Sequence, residues 1–542
     1  MSVRRVIESD VCIIGSGISA AMVAAKLADE RRASVLVVEA GGRPVPFGER
    51  MKVRERFVAY GENPWVGDHL VDQTALGTVH GFSPDMEVGG LAMHWGAVTP
   101  RWSPEDFRVK SLYGVGDDWP LTYEELEPFY LEAERRVGVA GEPGPAALDP
   151  RSGPYPMPPL PLSYNLRLLK EWGEKAGIPF WSTPSAKNSV PFQGRAACQR
   201  CDTCDPVCPS GAKYSPDFTL DALERAGKVR VLTNTLVRRL VPQATSERIS
   251  HAVASSPEHA EEPIELHARL FVLAGGFVWS PHLLLLSASE RHPAGLANRA
   301  GNVGRWMNGH RAVNGYIRLP LRLYPGMNLQ HSLISKRFMR PGPQDAYVRH
   351  DLRLWEASFH AEPRLRGEGG ALLLGDELLA DWRRRAVEST ARVRGYYDVL
   401  PGRDSRLTLD GGTKNRWGDP MPRLAYQDHA DSARLRGHAE AAVRGVFERL
   451  ARAGGGSVVS VRAGDEQEHP GGGCRMGDDP ATSVVDRHGR SHDHENLFVV
   501  GAPTCVTSGC TNGTLTFAAL SLFAAREIAT DLPGRGAAPA RP

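Results

Sequence analysis

The chain has 542 residues, eight of them cysteine, and a formal net charge of +2. That length calls for two or more domains, and the balanced, interspersed charge excludes a nucleic-acid partner. Eight cysteines do not make a disulfide scaffold in a chain this long, although four of them crowd into Cys198–Cys208.

Met1–Asp10 carries no apolar signal core and no twin-arginine signal. No apolar run reaches the ~18 residues of a membrane span, so a cytoplasmic protein without a transmembrane segment is expected. Ser9–Gly42 holds the first organising pattern. The apolar run Val11–Ile14 ends at Gly15-Ser16-Gly17, Ile18–Leu27 has helical apolar spacing, and the β-branched run Val35–Val38 closes on Glu39. Strand, glycine turn, helix and strand within ~30 residues predict a βαβ unit that binds a dinucleotide. Gly15 permits the tight turn, and Gly17 lets backbone approach a pyrophosphate held at the helix N-terminus. Ala20 replaces the third glycine of the fingerprint, with Ser19 beside it. Glu39, followed by Ala40, stands ~20 residues on, where a ribose hydroxyl needs an acceptor.

Met51–Phe82 has no clean periodicity and reads as an excursion over the surface or toward a cofactor. In Val88–Phe107, the residues Gly89, Gly90, Met93, His94, Trp95 and Gly96 imply close backbone approach to something flat or large. Thr122 and Glu125 form a capping-box pattern for a helix to about Val139. Pro143–Pro161 reads as an extended surface linker.

Lys228–Thr233 and Arg269–Ala274 read as strands with a polar, hairpin-like segment between them. Ala274-Gly275-Gly276 closes the second strand, and a helix begins at Ser280. Gly301–His310 is a loop. From Arg311 to Ala453 the pattern becomes short runs (Val313–Leu319, Ala371–Leu374, Ser405–Leu409) with helices at Asp376–Arg394 and Ala430–Arg452. That predicts a separate antiparallel sheet that shapes a substrate site. The chain then returns with a strand at Asn496–Val500, ending in Gly501-Ala502, and a helix at Thr514–Asp531.

His469–Asp486 reads HPGGGCRMGDDPATSVVD, and Asn496–Phe517 reads NLFVVGAPTCVTSGCTNGTLTF. With Gly15–Glu39, Gly89–Pro104, Ala274–Leu285 and Val303–His310, these stretches resemble the glucose–methanol–choline family of FAD-dependent alcohol oxidoreductases, over nearly the whole chain. The resemblance implies an α/β fold. A Rossmann-like FAD-binding domain is built from 1–55, 84–110, 215–310 and 465–532. A discontinuous α+β substrate-binding domain with an antiparallel sheet is built from 56–83, 111–214 and 311–464, and 533–542 is a flexible tail.

In that family the base is the histidine that opens an HPxGxCxM-like segment, matched by His469. Its partner lies in an NxTLT segment, matched by Asn512. The pair is implied to straddle the substrate oxygen near flavin N5. Histidine suits the role because its unperturbed pKa of ~6.5 lets it accept a proton at working pH. An asparagine can donate to the same hydroxyl without competing for the proton. Asn512, Gly513 and Thr514 open the last helix, whose positive end is implied to face the flavin pyrimidine. Gly501 and Ala502 are implied to approach the ribityl chain. Taken without the resemblance, His469 is a solvated loop histidine and Asn512 a helix N-cap. His94 is expected to contact the isoalloxazine. In the pyranose-oxidase branch a Thr-His-Trp histidine carries the flavin covalently, and here Met93 replaces that threonine.

Cys198, Cys201, Cys204 and Cys208-Pro209 have the spacing of a bacterial ferredoxin loop, which makes them iron–sulfur ligands by pattern. Relatives resembling gluconate and glucose dehydrogenase subunits carry similar loops, some with a cluster and some without. Zinc, a reduced structural loop and two disulfides are the alternatives. Cys505 and Cys510 read as packing residues.

The reading as a whole is an FAD enzyme that oxidises a CH–OH group of a sugar, glycoside, polyol or sugar acid. Electrons pass to a quinone, a cytochrome or oxygen, with a small escort subunit as a further candidate partner. A dehydrogenase leads. An oxidase forming hydrogen peroxide, or an electron-transfer flavoprotein with an iron–sulfur relay and no alcohol chemistry, are the alternatives.

Overall fold

A computed structural model describes residues 5–30, 33–50, 86–204, 208–257, 259–324, 331–340, 349–356, 365–367, 369–415, 417–427, 429–464 and 467–532. The excursion at 51–82 and the tail at 533–542 lie outside the described residues. Among the described residues no helix is long and apolar enough to cross a membrane.

The first sheet forms around the strand Arg5–Ile14, whose Val11, Cys12 and Ile13 are fully buried. A short apolar run buried on both faces is the signature of a parallel strand covered by helices. Its parallel neighbours are Val35–Val38, in register Val11 to Val35, and His259–Leu273, in register Ile14 to Leu273. Val229–Leu232 extends one side, and Leu497–Val499 pairs beside Leu273. The segment read as hairpin-like is the antiparallel pair Leu236–Pro242 and Ile249–Ser256. Helices Ile18–Glu30 and Thr514–Thr530 cover the sheet. The second is apolar nearly all round and sits inside the core.

The second sheet is antiparallel and runs in the order 457–463, 308–319, 389–397, 352–356, 333–335 and 181–182. Glu468–Gly471 pairs with the start of Asn308–Leu319. Helix Ala430–Ala453 packs across it, burying Val443, Phe447 and Leu450.

Several expectations shift. The helix read as Asp376–Arg394 ends at Ala386, and Ser389–Tyr397 is a strand of the second sheet. Its burial alternates with period two, and the pairing overrides the helical spacing of the preceding turn. Ala371–Leu374 is no strand; only Leu372 makes an isolated bridge, and Leu372 and Leu374 are exposed. The helix read from Ser280 starts at Gly276. Three helices have no counterpart in the sequence pattern, the short Val109–Tyr113, Tyr164–Lys175 and Pro216–Arg225. Pro143–Pro161 has no helix or strand, but it is no loose linker: Tyr155, Met157 and Leu160 are buried, and Asp149 is held by Lys336 at 2.6 Å. The capping box at Thr122 and Glu125 is present.

Candidate active site

The end of the strand Arg5–Ile14 and the start of the helix Ile18–Glu30 open one wall of a cavity of about 490 Å³. Gly15, Gly17, Ser19, Glu39, Ala40, Gly90, His94, Trp95, Gly96, Ala274 and Gly275 line that cavity, as do His469, Ala502, Asn512 and Thr514. Five expected residues do not. Ala20 is buried in its helix, and Gly89, Met93, Gly501 and Gly513 shape the backbone behind the wall. A Cβ on Gly501 would stand 2.1 Å from Ser19 Oγ, so that glycine serves the approach of strand end to helix.

The two fingerprint glycines differ in what demands them. Gly15 has φ +101°, and a Cβ there would lie 2.7 Å from the Ala274 carbonyl. Gly17 faces space, with only Gly89 O within reach of a Cβ, at 3.9 Å. The neighbouring strand therefore requires the first glycine, and the open cavity uses the second.

Glu39 is buried, accepts from Ser16 Oγ at 2.5 Å and from the Gly41 N–H at 2.9 Å. Burial pushes its carboxyl up to about 7. Next to it, His94 Nε2 meets the buried Glu87 Oε1 at 2.5 Å, and the Glu87 carbonyl accepts from the same Ser16 hydroxyl at 3.4 Å. The Lys213 ammonium, itself buried, donates to the carbonyls of Met93 (2.8 Å), Trp95 (3.1 Å) and Cys204 (2.6 Å). One side chain thus ties the glycine-rich loop to the cysteine loop.

At the far end, Asn512 is not the helix cap. Gly513 holds that position, and the Asn512 side chain turns to His469. Its orientation follows from its partners. Arg353 can only donate, and it bonds Asn512 Oδ1 at 2.8 Å. The amide nitrogen must then face His469 Nε2, 2.6 Å away. Nε2 is therefore the accepting nitrogen, and in neutral His469 the proton sits on Nδ1. That Nδ1 lies 2.8 Å from His310 Nε2, while His310 Nδ1 faces the Ser508 carbonyl at 3.5 Å. Burial pushes the His310 imidazolium down to about 3, so His310 stays neutral and accepts. Every donor in the series meets an acceptor. His469 itself has φ +50°, an unfavourable backbone region for a non-glycine residue that the surrounding strand pairing holds in place.

Arg353 is in turn fixed by Asp351 Oδ2 at 2.9 Å, and Thr511 Oγ1 donates to the same oxygen at 2.9 Å. Glu468 next to His469 is neutralised by Arg394 and accepts from Tyr396 Oη at 3.1 Å.

His310, Arg353 and Lys213 went unread. His310 comes beside His469 because Glu468 pairs with His310 across two strands, a register that no local pattern announces. Asn415 and Asp419 also line the cavity, from the hairpin 406–425, and Asp419 pairs with Arg238 at 2.6 and 2.8 Å. This hairpin, read as part of the substrate-shaping region, packs on helix Gly276–Leu286 through Leu407 and Leu424.

Among the described residues, no three of the thiols of Cys198, Cys201, Cys204 and Cys208 converge closely enough to hold a single metal ion. Burial opposes ionisation of Cys208, yet the Lys213 and Ser210 N–H groups and the Lys213 charge hold its thiol below the usual range. Cys505 and Cys510 are fully buried.

Residues 192–312 and 401–521 match the two family models described as GMC oxidoreductase. The chain is 32% identical to the fructose dehydrogenase large subunit of Gluconobacter japonicus, over 98% of this chain and 99% of that one. The chain belongs to the GMC oxidoreductase family. It is accordingly an FAD-dependent oxidoreductase of alcohol groups. The 6'''-hydroxyparomomycin C oxidase of Streptomyces lividus is 30% identical to this GMC chain over 98% of it and 93% of that protein. The crystal structure of pyridoxine 4-oxidase from Mesorbium loti shares the fold, with a TM-score of 0.62 at 19% identity over 96% of this chain and 98% of that one. The site suits FAD on its own terms. The space beside Gly17, the carboxyl of Glu39 and the His469–Asn512 pair all border one cavity.

Proposed function

We propose that this GMC oxidoreductase oxidises a CH–OH group of a sugar, glycoside, polyol or sugar acid, with His469 as base and Asn512 as its partner. The observation that carries the reading is the 2.6 Å contact between Asn512 Nδ2 and His469 Nε2 within the cavity that Gly17 borders. A substrate hydroxyl entering between these atoms donates its proton to Nε2 and accepts from the amide. FAD would be held by Gly15–Ala40, the 89–96 loop and Ala274-Gly275, and would supply the acceptor for the hydride that leaves carbon. His310, too weak a base to take the proton onward, keeps it on His469 and fixes the ring. The first sheet then serves the cofactor and the second the substrate.

A non-oxygen acceptor is the reading we favour, with an iron–sulfur centre at Cys198–Cys208 as the relay and a small escort subunit as partner. It is supported by the Lys213 link between the two loops and by likeness to a dehydrogenase large subunit. Likeness to the paromomycin oxidase supports the second reading, transfer to oxygen.

The test is anaerobic mixing of FAD-loaded protein with a panel of sugars, polyols and sugar acids, following bleaching of the flavin absorption. Bleaching by at least one, lost in His469→Ala with FAD retained, is the expected result. No bleaching by any alcohol would remove the assignment.

A further inference from the structure

Far from the cavity in sequence, three side chains meet that the reaction does not use. Glu247 lies in the turn between strands Leu236–Pro242 and Ile249–Ser256, His292 follows helix Gly276–Leu286, and His494 precedes strand Leu497–Val499. One ligand atom from each lies within 4.8 Å of the other two. Glu247 Oε2 is 3.6 Å from His292 Nε2. Donor atoms around a tetrahedral zinc with ~2.0–2.1 Å bonds stand about 3.4 Å apart.

The outer contacts are already those of a metal site. His494 Nδ1 donates to the Glu247 carbonyl at 2.6 Å, which leaves the lone pair on Nε2. Arg291 takes Glu247 Oε1, so Oε2 is the oxygen left toward the imidazoles. Oε2 of Glu247, Nε2 of His292 and Nε2 of His494 are all buried without a hydrogen-bond partner. Glu247 Oε2 lies 3.6 Å from His292 Nε2 and 4.0 Å from His494 Nδ1, so the orphaned atoms belong to three side chains that meet. Such orphans are costly unless something fills the space between them. Asn496 braces the same corner, bonding the Ile249 N–H at 2.8 Å and its carbonyl at 2.9 Å.

We infer that Glu247, His292 and His494 bind a divalent transition-metal ion, zinc by donor set, with water completing the shell. Two imidazoles and one carboxylate suit zinc and not calcium or magnesium, which take oxygen ligands. The ion would staple three segments whose other ends line the cavity, at Thr235–Arg238, Gly276–Leu286 and Ala502. It is a structural site, bound in the native state only, and so raises thermal stability by mass action.

The test titrates chelator-stripped, FAD-loaded protein with zinc chloride alone, reading stoichiometry by calorimetry and the melting temperature in parallel. Glu247→Gln and the part-exposed His292→Asn are compared with wild type, all three with the cysteine loop intact. Wild type is expected to bind one equivalent more than either variant, or to bind it at least ~10–100-fold more tightly, and to melt higher with zinc. FAD content of the variants reports that they fold. Equal uptake and equal zinc-dependent melting in all three proteins would overturn the site and place any zinc on the cysteines.

Discussion

Nδ1 of His469 and Nε2 of His310 lie 2.8 Å apart although 159 residues separate them in the chain. This contact decides which nitrogen of His469 faces the cavity. With His310 accepting on one side and the Arg353-oriented amide of Asn512 donating on the other, Nε2 is the base.

His469→Ala should keep FAD and slow substrate reduction of the flavin by at least the ~10²–10⁴-fold typical of a general base. Anaerobic stopped-flow reduction measures it. Turnover at the wild-type rate would remove His469 from the chemistry.

His310→Ala leaves the His469 Nδ1–H without its buried acceptor, an unmade hydrogen bond costing about 1–3 kcal/mol. The ring can then turn its proton to Nε2. Flavin reduction should slow about 10–100-fold, since ~1.4 kcal/mol is a tenfold change, and the rate–pH profile should shift. A slower rate with an unmoved profile would make His310 a packing residue only.

What was legible in the sequence was what is local. Gly15, Gly17 and Glu39 fall within one βαβ unit, and the cavity indeed begins there. The pairing of His469 with Asn512 came from family resemblance, since 43 residues of chain separate them. His310 and Arg353 reach the site through strand register in the second sheet, which depends on contacts distant in sequence. The same dependence misled the reading of 389–397, where pairing with 308–319 prevails over helical spacing.

Acid should destabilise the protein well above the carboxylate range. Burial pushes His282 and His350 down to about 4, and His310 and His331 down to about 3. Their unfolded values are ~6.5. Between these limits the unfolded chain binds more protons, so stability rises with pH and is lost as pH falls below ~6.5. Glu39 acts oppositely: its carboxyl is raised to about 7, so its contribution declines as pH rises toward 7. Asp351, also raised by burial, acts in the same direction as Glu39. The buried histidines outweigh the three raised carboxyls, Asp221 being the third, so the melting temperature should fall as pH drops from 6.5 to 4.5. A flat or rising profile in differential scanning fluorimetry over ~4.5–6.5 would contradict the balance.

His94 should hold FAD without a covalent bond. Its Nε2 is engaged by Glu87 at 2.5 Å, and Met93 stands where the covalent branch has threonine. Acid precipitation should release all flavin to the supernatant, and yellow colour remaining in the washed pellet would show a flavin–protein bond.

Lys213 should couple the contents of two loops. Its ammonium is buried and satisfies the carbonyls of Met93, Trp95 and Cys204 at once. Lys213→Met leaves these acceptors dry, at about 1–3 kcal/mol for each one unsatisfied. The variant should melt lower and lose FAD, because the 89–96 loop is no longer braced from behind. Cys208 also loses the nearby positive charge that favours its thiolate, so any iron bound by the cysteine loop should fall with the flavin. Flavin and iron assays on one sample measure both. Loss of FAD with iron unchanged would show that the loops are independent, and full FAD at the wild-type melting temperature would show that the 89–96 loop does not need the brace.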